Sequence, residues 1–228
     1  NLKTGHISFL GNVIVTGSVE DNFNITAEGN IEINGFDITK DPLEAKKQFG
    51  FVPDSPDMFL RLKGIEYLKF MATIYGIDPN SINEKIEDYA KRFEIYDALN
   101  KQINDYSHGM RQKIILIGAL IHEPKVWILD EPLTGLDPQS SYTLKEMMRE
   151  HVKNGNTVLF STHVLEVAEK IVDRIGIVRK GELIFVGTIN EFKNNTFVKY
   201  NVFFIILLTP RIILQVNLHL HYIFLLIH

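Results

Sequence analysis

The sequence predicts an α/β fold with a mainly parallel central sheet. Three observations point there. Val126-Trp-Ile-Leu129 is wholly apolar, as a strand covered on both faces must be. Thr157-Val-Leu-Phe160 is a second such run. Segments with helical apolar spacing lie between and before them, and strands alternating with helices are the pattern of a parallel sheet. The 228 residues carry 24 Lys+Arg against 28 Asp+Glu, a formal net charge of −4, with 45% hydrophobic and 23% charged residues. That is ordinary globular composition and excludes a disordered chain, a collagen-like chain and a coiled coil. The mild acidity argues against a nucleic-acid binder working by general charge. The absence of cysteine excludes disulfides, thiolate zinc sites and a cysteine nucleophile.

The elements follow in order. Gly29-Asn-Ile-Glu-Ile-Asn-Gly35 alternates with period two and predicts a short strand ending in a glycine turn. Phe49–Val52 is a strand stopped by Pro53. Ile65, Leu68, Ala72 and Tyr75 fall at helical spacing, ending at Gly76. Ser81 with Glu84 forms a capping box for a helix carrying Ile82, Ile86, Tyr89 and Phe93. Ser107 caps a helix through about His122, with Met110, Ile114, Ile117 and Ile121 on one face. Pro138 suits the first turn of a helix to about His151. A helix over Leu165–Val172, a strand over Ile175–Val178, the turn Arg179–Glu182 and a strand over Leu183–Val186 complete the pattern.

Composition changes after Asn195. Phe197–His228 contains no Asp or Glu, and only Lys199 and Arg211 as fixed charges. Its apolar runs, Val202–Leu208 and Tyr222–Ile227, fall short of the roughly 18 consecutive residues of a membrane-spanning helix. They are read as a core-covering or poorly folded tail, with a membrane-associated hairpin as the alternative. Asn1–Asn12 lacks the basic start and apolar run of a signal peptide, and the chain begins without Met, so a fragment is expected.

Chemistry concentrates at three places. Asp130 and Glu131 follow the apolar run Val126–Leu129. Ligand sites of open α/β sheets lie at such strand ends. Two acids opening a loop is the bland alternative, disfavoured by the Pro132-Leu-Thr-Gly-Leu-Asp137-Pro138 that follows. Tyr106-Ser-His-Gly-Met110 opens a helix, whose N–H groups and dipole attract phosphate; alone, it reads equally as a capped helix start. Ser161-Thr-His163 follows the second apolar run, and His163 is placed to reach the same sheet edge.

Together these segments resemble the nucleotide-binding subunit of an ABC transporter. Ser107-His-Gly-Met-Arg-Gln resembles the family's signature motif, Trp127-Ile-Leu-Asp-Glu-Pro its Walker B strand, Gly135-Leu-Asp-Pro its D-loop and Ser161-Thr-His its switch histidine. The resemblance covers roughly Leu2 to Asn195 and is nearest to bacterial single-cassette subunits, often exporters. It implies a P-loop NTPase-like cassette over residues 1–195. Such a cassette has a mainly parallel core sheet, an antiparallel N-terminal β portion and a helical subdomain over about 62–106; residues 196–228 form the tail outside it. By resemblance, Glu131 is the general base, Asp130 the Mg²⁺ ligand and His163 the γ-phosphate sensor. Ser107, His108, Gly109 and Met110 meet nucleotide on the opposing cassette, and Asp137 is a cross-dimer contact. Asp54 stands at the Q-loop position in place of glutamine, and His108 in place of the more common glycine. ATP and Mg²⁺ are the implied cofactors. A membrane permease and a second nucleotide-binding domain are the implied partners, with no nucleic acid, on the cytoplasmic face of the membrane.

One family element is missing. No Gly-Lys dipeptide occurs, so there is no Walker A loop of the form G-x-x-x-x-G-K-[ST]. Where it is expected stands Gly11-Asn-Val-Ile-Val-Thr-Gly17-Ser-Val-Glu-Asp21, which lacks the phosphate-binding Lys and adds two acids. Hydrogen bonds to charged groups are worth about 1.5–3 kcal/mol each, so losing three or more weakens ATP binding by roughly 10³-fold. Three readings follow: an ATP-hydrolysing transporter subunit with impaired activity, a cassette that only lends its signature to a partner, and a non-functional remnant.

Overall fold

The computed structural model describes residues 6–9, 13–14, 24–27, 31–37, 39–162, 164, 171–172, 174–179, 182–193 and 203–208. The strands are β1 (His6–Phe9), β2 (Val13–Ile14), β3 (Asn24–Ala27), β4 (Ile31–Ile33), β5 (Phe36–Asp37), β6 (Phe49–Val52), β7 (Val126–Leu129), β8 (Thr157–Thr162), β9 (Arg174–Arg179), β10 (Glu182–Gly187) and β11 (Phe203–Leu208). The helices are α1 (Pro42–Lys47), α2 (Gly64–Ile74), α3 (Pro79–Arg92), α4 (His108–Leu120), α5 (Pro138–Lys153) and α6 (Ile189–Lys193).

The main sheet has the order β10-β9-β11-β8-β7-β6. Its β6-β7-β8 part is parallel, with Val52 opposite Leu129 and Leu129 opposite Phe160. All four residues of β7 are buried, as the unbroken apolar run requires. Successive side chains leave a strand on opposite faces. Val126 and Ile128 therefore join Ile33, Ala45 and Phe49 in one small core. Trp127 and Leu129 join Val158, Phe160 and the residues of α4 and α5 in the larger one.

A helical layer precedes the signature segment. α2 and α3 pack on α4, and α4 packs on β6. The helix α4 is buried on every side from Gln112 to Leu120 rather than along one stripe, because it lies between that layer and the sheet. The start of α3 lies earlier than the Ser81–Glu84 box suggested. Asp78 is its cap, accepting from the Asn80 N–H at 3.2 Å, and Pro79 takes the first helical position. Ser81 instead donates its hydroxyl to the Asp78 carbonyl.

Two further features differ from the sequence reading. Among the described residues the N-terminal β portion is antiparallel only at the β4–β5 hairpin, whose turn residues Asn34 and Gly35 both have positive φ. The pairs β1–β3 and β2–β4 are parallel, since intervening chain separates their members. Within residues 196–228, β11 enters the main sheet between β8 and β9, antiparallel to both, with Ile205 opposite Ser161 and Gly176. An apolar, acid-free run suits a strand with neighbours on both edges. The Leu165–Val172 helix lies largely outside the described residues, as does the turn interior at 180–181.

Candidate nucleotide site

The ends of β6, β7 and β8 meet at one edge of the sheet. The Asp130 N–H donates to the Val52 carbonyl at 2.8 Å, extending the ladder one residue past β7. Asp130 is 4% exposed. A buried carboxylate requires partners, and Ser161 on β8 supplies one: its hydroxyl donates to Asp130 Oδ1 at 2.5 Å. The same Ser161 oxygen accepts the Glu131 N–H at 2.9 Å. One hydroxyl thus bridges the two acids. Glu131 sits at φ +42°, a left-handed backbone setting costly for a side chain this size. The Thr134 N–H closes the following turn on the Glu131 carbonyl at 2.9 Å.

These are hard oxygen donors of the kind that magnesium takes. Among the described residues no group of three or more His, Cys, Asp or Glu side chains is arranged to hold a metal alone. Magnesium is ordinarily held by one or two carboxylates together with substrate phosphates, and the Asp130–Glu131 pair fits that mode.

The signature segment lies at the start of α4. Ser107 is the cap, its oxygen accepting the Met110 N–H at 3.3 Å. Ser107 and His108 are exposed, and Gly109 and Met110 half-buried. Arg111 fastens the helix start to preceding chain: Nη1 meets Asp57 Oδ1 at 2.6 Å and Nη2 donates to the Asn104 carbonyl at 2.8 Å. Gly109 is held close to the loop after Glu131. A Cβ there would lie 2.5 Å from the Gly135 carbonyl oxygen, so no larger residue fits. Gly135 itself has φ +76° and lies against the His108 ring.

Asp137 caps α5. Its carboxylate accepts the Ser140 N–H and the Ser140 hydroxyl, both at 2.8 Å, and meets Lys113 Nζ at 2.6 Å. The Lys113 ammonium and the Ser140 donors hold its pKa well below the usual carboxylate range. Asp54 is exposed, two residues beyond β6. His163 lies outside the described residues, as does most of Gly11–Asp21, where only β2 is described.

The structure therefore gathers Asp130 and Glu131 at one edge, and Ser107–Met110 with Asp137 at the junction of α4 and that loop. The sequence reading quoted Ser161 and gave it no role. Its position one strand over from the acids was the available signal. Lys113 was passed over, because a lysine on a helix ordinarily faces water.

Comparison with known proteins gives the family. The ABC transporter family model matches residues 13–134, more than half of the chain. The ABC transporter ATP-binding protein NatA of Bacillus subtilis is 34% identical over 166 residues, 72% of this chain and 68% of NatA. The daunorubicin resistance ATP-binding protein DrrA3 of Streptomyces coeruleorubidus is 32% identical over 168 residues, 74% of this chain and 53% of DrrA3. A solved ATP-binding subunit of an ABC transporter superposes with a TM-score of 0.69 at 26% identity, covering 82% of this chain and 80% of that one. The chain belongs to the ABC transporter family and is of its ATP-binding type.

Proposed function

We propose that this chain is the ATP-binding subunit of an exporter. It works at the inner face of the cell membrane, beside a permease and a second nucleotide-binding domain. The observation that carries the reading is the Ser161 hydroxyl, which ties Asp130 and Glu131 together at the sheet edge. The drug-resistance label of DrrA3 favours export. Among the described residues no helix is long and apolar enough to cross a membrane.

The roles are those that the family resemblance implies. Asp130 is the ligand for Mg²⁺, which supplies positive charge against the ATP phosphates. Glu131 accepts the proton of the attacking water, and the Ser161 hydrogen bond to its N–H fixes where its side chain starts. His163 donates to the γ-phosphate, and Asp54 contacts the permease side. The missing Walker A loop leaves this chain's own ATP site weak and its hydrolysis negligible.

A second reading, which the form of the signature favours, is that the chain completes a partner's site. Ser107 and His108 are exposed at the start of a 13-residue helix, and such a start binds phosphate through free N–H groups and the helix dipole. Mixing the chain with an intact cassette separates the readings. If the signature is lent, Ser107→Ala impairs the partner's ATPase and Glu131→Gln leaves it unchanged. The reverse pattern overturns lending and favours hydrolysis by this chain. A broad, non-cooperative thermal transition of the chain alone would favour a remnant over both.

A further inference from the structure

The signature segment and the loop behind Glu131 are joined inside one chain. Lys113 lies in the first half of α4, with its side chain only 10% exposed. Its ammonium meets Asp137 Oδ2 at 2.6 Å. Asp137 is itself immobilised by two bonds from Ser140 at the start of α5. Two further contacts lie beside this pair. Gly109 approaches the Gly135 carbonyl so closely that a Cβ would reach 2.5 Å from it, and the His108 ring covers Gly135. At its other end this loop begins at Glu131, which is pinned to Ser161.

An ammonium near a helix N-terminus is electrostatically unfavourable. A nearly buried lysine is retained there only with a close counter-charge. Asp137 supplies it, and it lies on the loop rather than on α4. The pair therefore fixes a distance between two elements.

We propose that Lys113 is a positioning residue: through Asp137 it locks the signature segment Ser107–Met110 to the Glu131–Asp137 loop, so that the two move as one body. The lock rests on the reading above, in which the signature faces a partner's nucleotide and the acids face the chain's own. It then gives one chain a rigid link between two half-sites. It also gives Asp137 an intrachain task beside the cross-dimer contact implied by resemblance.

Amide hydrogen exchange on the full chain tests the lock directly and requires no nucleotide. Lys113→Met and Asp137→Asn should each speed exchange about tenfold in both segments, Ser107–Arg111 and Thr134–Asp137, as local opening of a shared unit does. The double variant should go no further than either single one, and Lys113→Arg should restore slow exchange in both. Faster exchange confined to the segment bearing the substitution, or additive effects in the double variant, would overturn the proposal. A parallel ATPase assay uses MgATP and an intact cassette whose own signature is disabled. If the unaltered chain stimulates that cassette, Lys113→Met should lose the stimulation and Lys113→Arg keep it. If the unaltered chain gives no stimulation, lending of the signature fails, while the exchange result still decides the lock.

Discussion

The sheet edge and the helical layer are built from opposite materials. At the edge, polar groups are joined to one another: buried Asp130 to buried Ser161, Ser161 to half-buried Glu131, and buried Lys113 to the exposed Asp137. In the layer of α2 and α3, Tyr67, Leu68, Ile82 and Ile86 are buried, while Phe59, Phe70 and Ile74 remain 41%, 46% and 57% exposed. Phe59 packs at a tilt against Tyr67 and Phe70 at ring separations of 5.1 and 5.9 Å, leaving an aromatic surface. A satisfied polar edge holds charges in place for chemistry. An apolar core beneath exposed aromatics gives a firm face for a protein partner. Under the proposed function, the first is the reaction site and the second the face that meets the permease.

Breaking the shared core should produce the largest effect. Leu116 on α4 is fully buried between the two regions. Leu116→Ala should cost about 3–5 kcal/mol, by lost transfer energy plus a cavity, and chemical denaturation should show a marginal or non-cooperative transition. A stability loss near zero would mean that α4 is not the joint between edge and layer.

Acid should act next, through two histidines flanking the sheet. His122 stacks on Tyr75 at 3.6 Å and donates Nε2–H to the Phe49 carbonyl at 3.0 Å, while its Nδ1 is buried without a partner. His151 stacks on Trp127 at 4.1 Å. Burial pushes both down to about 4 from 6.5. Protonation therefore favours the unfolded chain. Stability is full above about pH 6.5 and falls toward pH 4, by at most about 3 kcal/mol for each ring. Denaturant midpoints from pH 8 to 4 should show this slope, and His122→Gln should flatten it. A slope unchanged in both His122→Gln and His151→Gln would contradict the assignment.

A smaller change is expected from Ser161→Ala. It removes one hydrogen-bond partner from the buried Asp130 carboxylate and one from the Glu131 N–H, at about 1–3 kcal/mol. The matched layer substitution, Phe70→Ser, should stay within about 0.5 kcal/mol, because the ring is half in water. Its expected effect is on permease capture. Equal stability losses for the two would erase the contrast between edge and layer.

Much of this was legible in the sequence because local and global preferences agree. Phe49–Val52 and Val126–Leu129 are strands at the predicted bounds, since an apolar run stopped by proline or by acids has no competing pattern. The Asp130–Glu131 edge and the capped start of α4 were readable for the same reason. The start of α3 was misjudged because two caps compete within four residues, and a proline at the first helical position decides for Asp78. The strand β11 was not readable, since strand pairing between β8 and β9 is a property of the whole sheet and leaves no local period. The Lys113–Asp137 pair escaped because its members are far apart in sequence, Lys113 alone looks like a solvated charge, and the resemblance assigns Asp137 a contact across the dimer.

The central proposal is that the acid edge and the signature-like segment coexist here with a sequence that lacks the Walker A motif. Equilibrium binding of a fluorescent ATP analogue to the full chain, with and without Mg²⁺, tests it most directly. The expected result is no saturation at millimolar ligand, in line with a loss of roughly 10³-fold from the missing charge-assisted bonds. Magnesium-dependent saturation in the micromolar range would contradict the claim, and Gly11–Asp21 would then have to act as the phosphate cradle.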